Sequence, residues 1–174
     1  MGLSASPFSF RDQLAFYGAY HTNRVNVGIH ILCVPLIWVS TLGLVLQSGV
    51  SVTALVTQMP SVVRSPAVHG LGELQSIVPA YVYPHLNVAS LVSFLYLMYY
   101  YVLDIPSALL ITPLWAGYYA LAWVGAEVLQ GRSGPLLAVF VLSWLLQFYG
   151  HGVHEGRAPA VSYTHLTLPT SDLV

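Results

Sequence analysis

The chain has 174 residues, enough for one domain, and only 6% of them are charged: five Arg, no Lys, and six Asp plus Glu. The hydrophobic fraction is 56%, the mean hydropathy +0.71 and the formal net charge −1. Soluble domains carry roughly 25% charged residues, so this composition excludes an ordinary soluble enzyme, a disordered chain and an electrostatic nucleic-acid binder, and leaves an integral membrane protein.

Met1 to Asp12 lacks a basic leader followed by an apolar core, so it does not read as a secretory signal, and membrane entry falls to internal spans. Phe10 to His21 reads as a short helix with Leu14, Tyr17 and His21 on one stripe. Asn23-Arg24-Val25-Asn26 interrupts the apolar pattern and can act as turn and cap. The first span is Val27 to Gln47, uncharged and long enough to cross a bilayer core, with Pro35 as a candidate kink. Cys33, the single cysteine, allows no intrachain disulfide and reads as a small packing residue.

Ser48 to Pro84 is a longer, less apolar connection with four prolines, in which Val68 to Ile77 can form an amphipathic surface helix. The second span is Leu86 to Leu103, ended by the turn Asp104-Ile105-Pro106-Ser107, and the third is Ala108 to about Val128, with Glu127 at its end. After the turn Gly131 to Pro135, the fourth segment, Leu136 to Tyr149, has only about 14 residues, short for a full crossing. The expected fold is therefore an all-α transmembrane bundle of about four spans plus a short N-terminal helix. Residues 1–160 form its single domain, while residues 161–174 match nothing before them and read as a non-native tail, so that His165 is set aside.

Four crossings would bring His21 and His30, at the opening of the first span, to the same membrane face as His151 and His154, just after the fourth. His69 and His85 would lie on the opposite face, separated by an apolar layer about 30 Å thick. His21 and His30 are nine residues apart, so both can face one site only if the chain turns between them, as Asn23 to Asn26 allows. His151, His154 and Glu155 fit one side of a helix at spacings of three and four. Ionisable groups at a membrane are costly, so such a cluster reads as a metal site, and neutral imidazole suits Fe, Zn, Cu or Ni. The bland alternative treats each histidine as a locally bonded surface residue. Asn23 and Asn26 serve equally as caps or as donors behind the ligands. Arg157 can hold a substrate carboxylate by a bidentate pair or act as an interfacial anchor.

Two stretches carry a resemblance. Phe16-Tyr17-Gly18-Ala19-Tyr20-His21-Thr22-Asn23 with Asn26, Ile29-His30 and Val34-Pro35, and later Trp144 to Val153 with Glu155, Arg157 and Pro159, resemble the two motifs of the membrane 2-hydroxy fatty acid dioxygenases of phytosphingosine degradation, formerly a family of unknown function. The resemblance covers about residues 10 to 160. It implies an Fe(II)-dependent α-oxidation in which a 2-hydroxy fatty acid and O₂ give a fatty acid one carbon shorter and CO₂, in the endoplasmic reticulum membrane of a eukaryote. It carries His21, His30 and His151 over as metal ligands, with Glu155 in the same motif. His154 has the spacing of a ligand, although its position is often aromatic in relatives. The Ser48 to Pro84 connection looks expanded, and relatives continue past the Pro159-Ala160 pair. The competing readings are a non-enzymatic membrane scaffold or small transporter with structural histidines, and a haem-binding electron carrier.

Overall fold

The computed structural model describes residues 6–58, 60–77 and 79–156, so Arg157 and the tail from 161 onward lie outside the described residues. The fold is all-α, as the apolar runs along the chain indicated. In chain order it comprises α1 (Phe10–Tyr20), α2 (Arg24–Gln47), α3 (Val52–Thr57), α4 (Ser61–Ile77), a 3₁₀ turn (Ala80–His85), α5 (Val88–Leu103), α6 (Ile105–Leu129), α7 (Gly134–Tyr149) and a π turn (Gly150–Glu155). The connection after α2 is thus largely helical, and α4 extends well upstream of the expected Val68 start.

Among the described residues, three stretches are long and apolar enough to cross a membrane: Arg24–Gln47, Ile105–Leu129 and Gly134–Glu155. Two segments differ from the sequence expectation. The fourth segment is not short, because the chain continues helically through the glycines after Tyr149 and reaches 22 residues. The second segment is the short one: α5 has 16 residues, about 24 Å of helix. Asn87 sets its start with a capping box, accepting from the Ser90 N–H while the Ser90 hydroxyl receives the Asn87 N–H. Asp104 ends α5 and caps α6, accepting from the Ser107 N–H at 2.8 Å, which is the turn role its sequence position indicated.

The described residues divide into two compact units: 6–37 together with 138–156, and the described part of Trp38–Leu137. In the first unit the buried positions of α2 are Asn26, His30 and Cys33, and those of α7 and the π turn are Ser143, Gln147, Gly150 and His151. Spacings of three and four place each set on one helix face, and that face is polar or small in both. Large apolar side chains such as Ile31, Leu32, Leu145 and Phe148 point outward. This is the pattern of helices that hide polarity inside and offer apolar surface to lipid. In the second unit Leu42, Ala89 and Ala122 form the buried centre, with Trp38, Val39 and Tyr119 packed against it. The Trp115 indole donates to the Ser93 carbonyl at 2.9 Å, tying α6 to α5.

A three-histidine candidate metal centre

The break between α1 and α2 does what the sequence required of it. His21 ends α1 and His30 lies one and a half turns into α2, yet their rings meet, with centroids 4.6 Å apart. His151, brought in by the π turn, completes a near-equilateral triangle at 5.0 Å from His21 and 4.8 Å from His30. The rings stand nearly perpendicular to one another, at 71° to 83°. One ligand nitrogen from each histidine lies within 4.8 Å of the other two, and His30 and His151 are buried.

Backbone carbonyls orient two of the rings. His21 Nδ1 lies 2.8 Å from the Tyr17 carbonyl oxygen, and His30 Nδ1 lies 3.0 Å from that of Asn26. A carbonyl only accepts, so Nδ1 carries the proton in each and Nε2 keeps its lone pair for a ligand. The Tyr17 ring stacks on His21 at 3.9 Å and 10°, which limits the rotation of that imidazole. His21 Nε2 and His151 Nδ1 are buried and have no hydrogen-bond partner among the described residues. Buried ring nitrogens in that state are free to bind a ligand. With three imidazoles converging, the donor set fits a divalent transition metal, and the three histidines could hold one.

Glu155 is not one of the converging ligands. Its carboxylate accepts the Thr22 N–H at 2.8 Å, the Thr22 hydroxyl at 2.6 Å, the Asn23 N–H at 3.0 Å and the Asn26 side-chain N–H at 3.1 Å. Four donors converging on two oxygens match the ionised carboxylate, which is an acceptor only. Asn23 opens α2, since its carbonyl accepts the Val27 N–H, and its side chain accepts from Val25. The carboxylate therefore also lies at the positive end of that helix. Asn26 is neither a cap nor a donor to the histidines: its side-chain amide donates to Glu155 and its backbone carbonyl accepts from His30 Nδ1.

The two residues expected beside His151 separate here. The π turn takes more residues per revolution than an α-helix, so position i+4 stays over i while i+3 falls out of line. Glu155 therefore faces the α1–α2 break, whereas His154 is not in the three-histidine group and packs edge-on against Tyr149, with centroids 5.2 Å apart. Arg157 lies outside the described residues. His69 and His85 belong to the second unit, where His69 pairs with Glu73 at 3.1 Å and His85 packs on Trp123.

Sequence reasoning missed Thr22 and Gly150. A Cβ on Gly150 would stand 2.5 Å from Asn26 Oδ1, so a side chain there collides with the residue that links Glu155 to His30. The signal was present in both cases: a threonine directly before a helix cap, and a glycine directly before a candidate ligand.

The family described as "2-hydroxy-palmitic acid dioxygenase Mpo1-like" matches residues 8–173. The chain belongs to this family. It is similar to the 2-hydroxy-palmitic acid dioxygenase MPO1 of Saccharomyces cerevisiae, with 30% identity over 155 residues, which is 87% of this chain and 67% of the yeast protein. No solved structure matches it. The Mpo1-like family is one of enzymes, which sets aside the scaffold, transporter and electron-carrier readings. All three converging histidines and the Glu155 contacts fall inside the matched region.

Proposed function

We propose that the chain is a membrane-bound Fe(II)-dependent dioxygenase that shortens 2-hydroxy fatty acids by one carbon. The reaction consumes the 2-hydroxy acid and O₂ and yields the shortened acid, CO₂ and water. All the electrons that O₂ takes up come from C1 and C2 of the substrate, so the balance needs neither 2-oxoglutarate nor another reductant. The observation that carries this reading is the convergence of three histidine nitrogens within 4.8 Å of one another in a chain of the Mpo1-like family.

His21, His30 and His151 would hold the iron. Bound there, iron would supply the redox chemistry that lets O₂ react with the substrate, with positions left open for the hydroxy-carboxylate head. The chain's own residues do the positioning. The Tyr17 and Asn26 carbonyls hold the His21 and His30 rings with Nε2 directed away from the backbone. Glu155 fastens the turn carrying His151 to the segment between His21 and His30, acting on the ligands rather than on substrate. Arg157, two residues further on, is assigned to the substrate carboxylate, which its guanidinium can pair by two parallel hydrogen bonds. The acyl tail would lie in the bilayer along the outward apolar faces of α2 and α7, and the enzyme would work in a membrane, that of the endoplasmic reticulum in a eukaryote.

The test is iron quantification together with O₂ uptake and product analysis on 2-hydroxypalmitate. One equivalent of iron and formation of the one-carbon-shorter acid are the expected results. Full turnover after chelator treatment, without added metal, would refute the iron assignment.

A further inference from the structure

We infer that the second unit carries a binding site for the head group of an amphiphile bearing a primary ammonium, held between the Glu127 carboxylate and the Gln47 side-chain amide against Trp123. These residues, with Leu46, Ala126 and Gln130, line a cavity of about 330 Å³ at the ends of α2 and α6. A water occupies roughly 30 Å³, so the space admits a head group rather than one solvent molecule.

One polar group of this cavity is buried and unsatisfied, and one carboxylate stands exposed at its edge. Both the oxygen and the nitrogen of the Gln47 amide are buried without a hydrogen-bond partner among the described residues. Reversing the amide changes nothing, because neither atom is satisfied. Glu127 stands in the last turn of α6, where the helix dipole is negative and no basic residue is present. Glu127 and Glu155 are the acids of the three span-length helices. Glu155 receives four hydrogen bonds, whereas the Glu127 side chain receives none among the described residues, and Arg132 in the next turn forms no ion pair with it. Gln130 takes φ 47° because it ends α6, its N–H returning to the Ala126 and Glu127 carbonyls.

The chemistry of the missing partner follows. No lining residue is cationic, and Glu127 repels an anion. A neutral ligand would draw nothing from the carboxylate charge. A primary ammonium donates to Glu127 and to the Gln47 oxygen, and rests its charge on the Trp123 face. The Gln47 N–H groups then donate to an oxygen of the same head group. An apolar tail would follow the outward surface of α6, where Leu121, Val124 and Val128 are exposed. The site lies at the ends of two helices long enough to span a bilayer, the level at which polar head groups and tryptophan collect.

The experiment is native mass spectrometry of the full chain in non-ionic detergent, titrated with dodecylamine, dodecanol and dodecyltrimethylammonium. Dodecylamine should bind at least tenfold more tightly than either of the other two. Glu127→Gln should abolish that preference and Glu127→Asp retain it, with melting temperatures confirming that both variants fold. Gln47→Leu should weaken dodecylamine binding at least threefold. In a parallel arm, retention of ethanolamine-headed over choline-headed lipid identifies a bilayer lipid as the source, while dodecylamine binding without lipid retention identifies a free amine. Equal binding of dodecylamine and dodecanol, equal binding of the trimethylammonium compound, or unchanged preference in Glu127→Gln would overturn the proposal.

Discussion

The Glu155 carboxylate accepts both the backbone N–H and the hydroxyl of Thr22, a residue 133 positions earlier in the chain, at 2.8 and 2.6 Å. Through this contact the π turn and the α1–α2 break act as one piece, and the three histidines they carry converge. Removing the carboxylate leaves the Thr22, Asn23 and Asn26 donors facing one another. Glu155→Ala should therefore cost roughly 1.5–3 kcal/mol of stability and about 10–100-fold in metal affinity. Thermal unfolding and metal titration in detergent check both, and an unchanged melting temperature with unchanged affinity would remove the clamp from the account.

The histidines divide sharply. His30→Ala and His151→Ala should each lose the metal and the O₂ uptake that depends on it. His154→Ala should retain both, since that ring packs on Tyr149 outside the triangle. Iron analysis of the three purified variants separates a three-histidine site from a four-histidine one; loss of iron in His154→Ala would restore it as a ligand.

Gly150 and Gly152 offer a matched pair. A Cβ at Gly150 meets Asn26 Oδ1 at 2.5 Å, whereas one at Gly152 meets nothing within 4 Å. Overpacking costs about 1–3 kcal/mol, and here the displaced atom belongs to the link between Glu155 and His30. Gly150→Ala should thus reduce both stability and metal loading, and Gly152→Ala should leave the metal in place. Parallel metal analysis of the two variants is the check, with equal loading counting against the close-approach argument.

Metal loading should fall with acidification. Imidazole binds metal only when neutral, and its ordinary pKa is about 6.5. Protons therefore compete with the metal for the ligand nitrogens, so affinity is full at higher pH and is lost as pH falls. Stability contributed by the metal follows the same sign, because the ion binds the folded chain. Melting temperatures with and without added Fe(II), measured from pH 5 to 8, should diverge only toward the upper end.

Some elements were readable from local pattern alone. α1, α2 and α6 follow from apolar runs bounded by polar or turn residues, and Asp104 followed from its place between two such runs. The length of the last span was not readable, because Gly150 and Gly152 have low helix propensity and signal a break when taken alone. In the folded chain α7 continues through them as a π turn. The shortness of α5 was hidden for a similar reason. Leu86 is apolar, yet the capping box of Asn87 and Ser90 starts the helix after it.

By itself the sequence determined the class of the protein, because eleven charged residues in 174 cannot solvate a soluble surface of this size. It also determined which side chains are available for chemistry, because polar residues are so few in the apolar segments. Only the tertiary structure decided which of them meet. Spacing admitted His154 and Glu155 equally beside His151, but spacing assumes 3.6 residues per turn. The π turn changes that angle, directing Glu155 to Thr22 and His154 to Tyr149. The local hydrogen-bonding pattern of six residues, which no periodicity of the sequence announces, is what made the group one of three histidines.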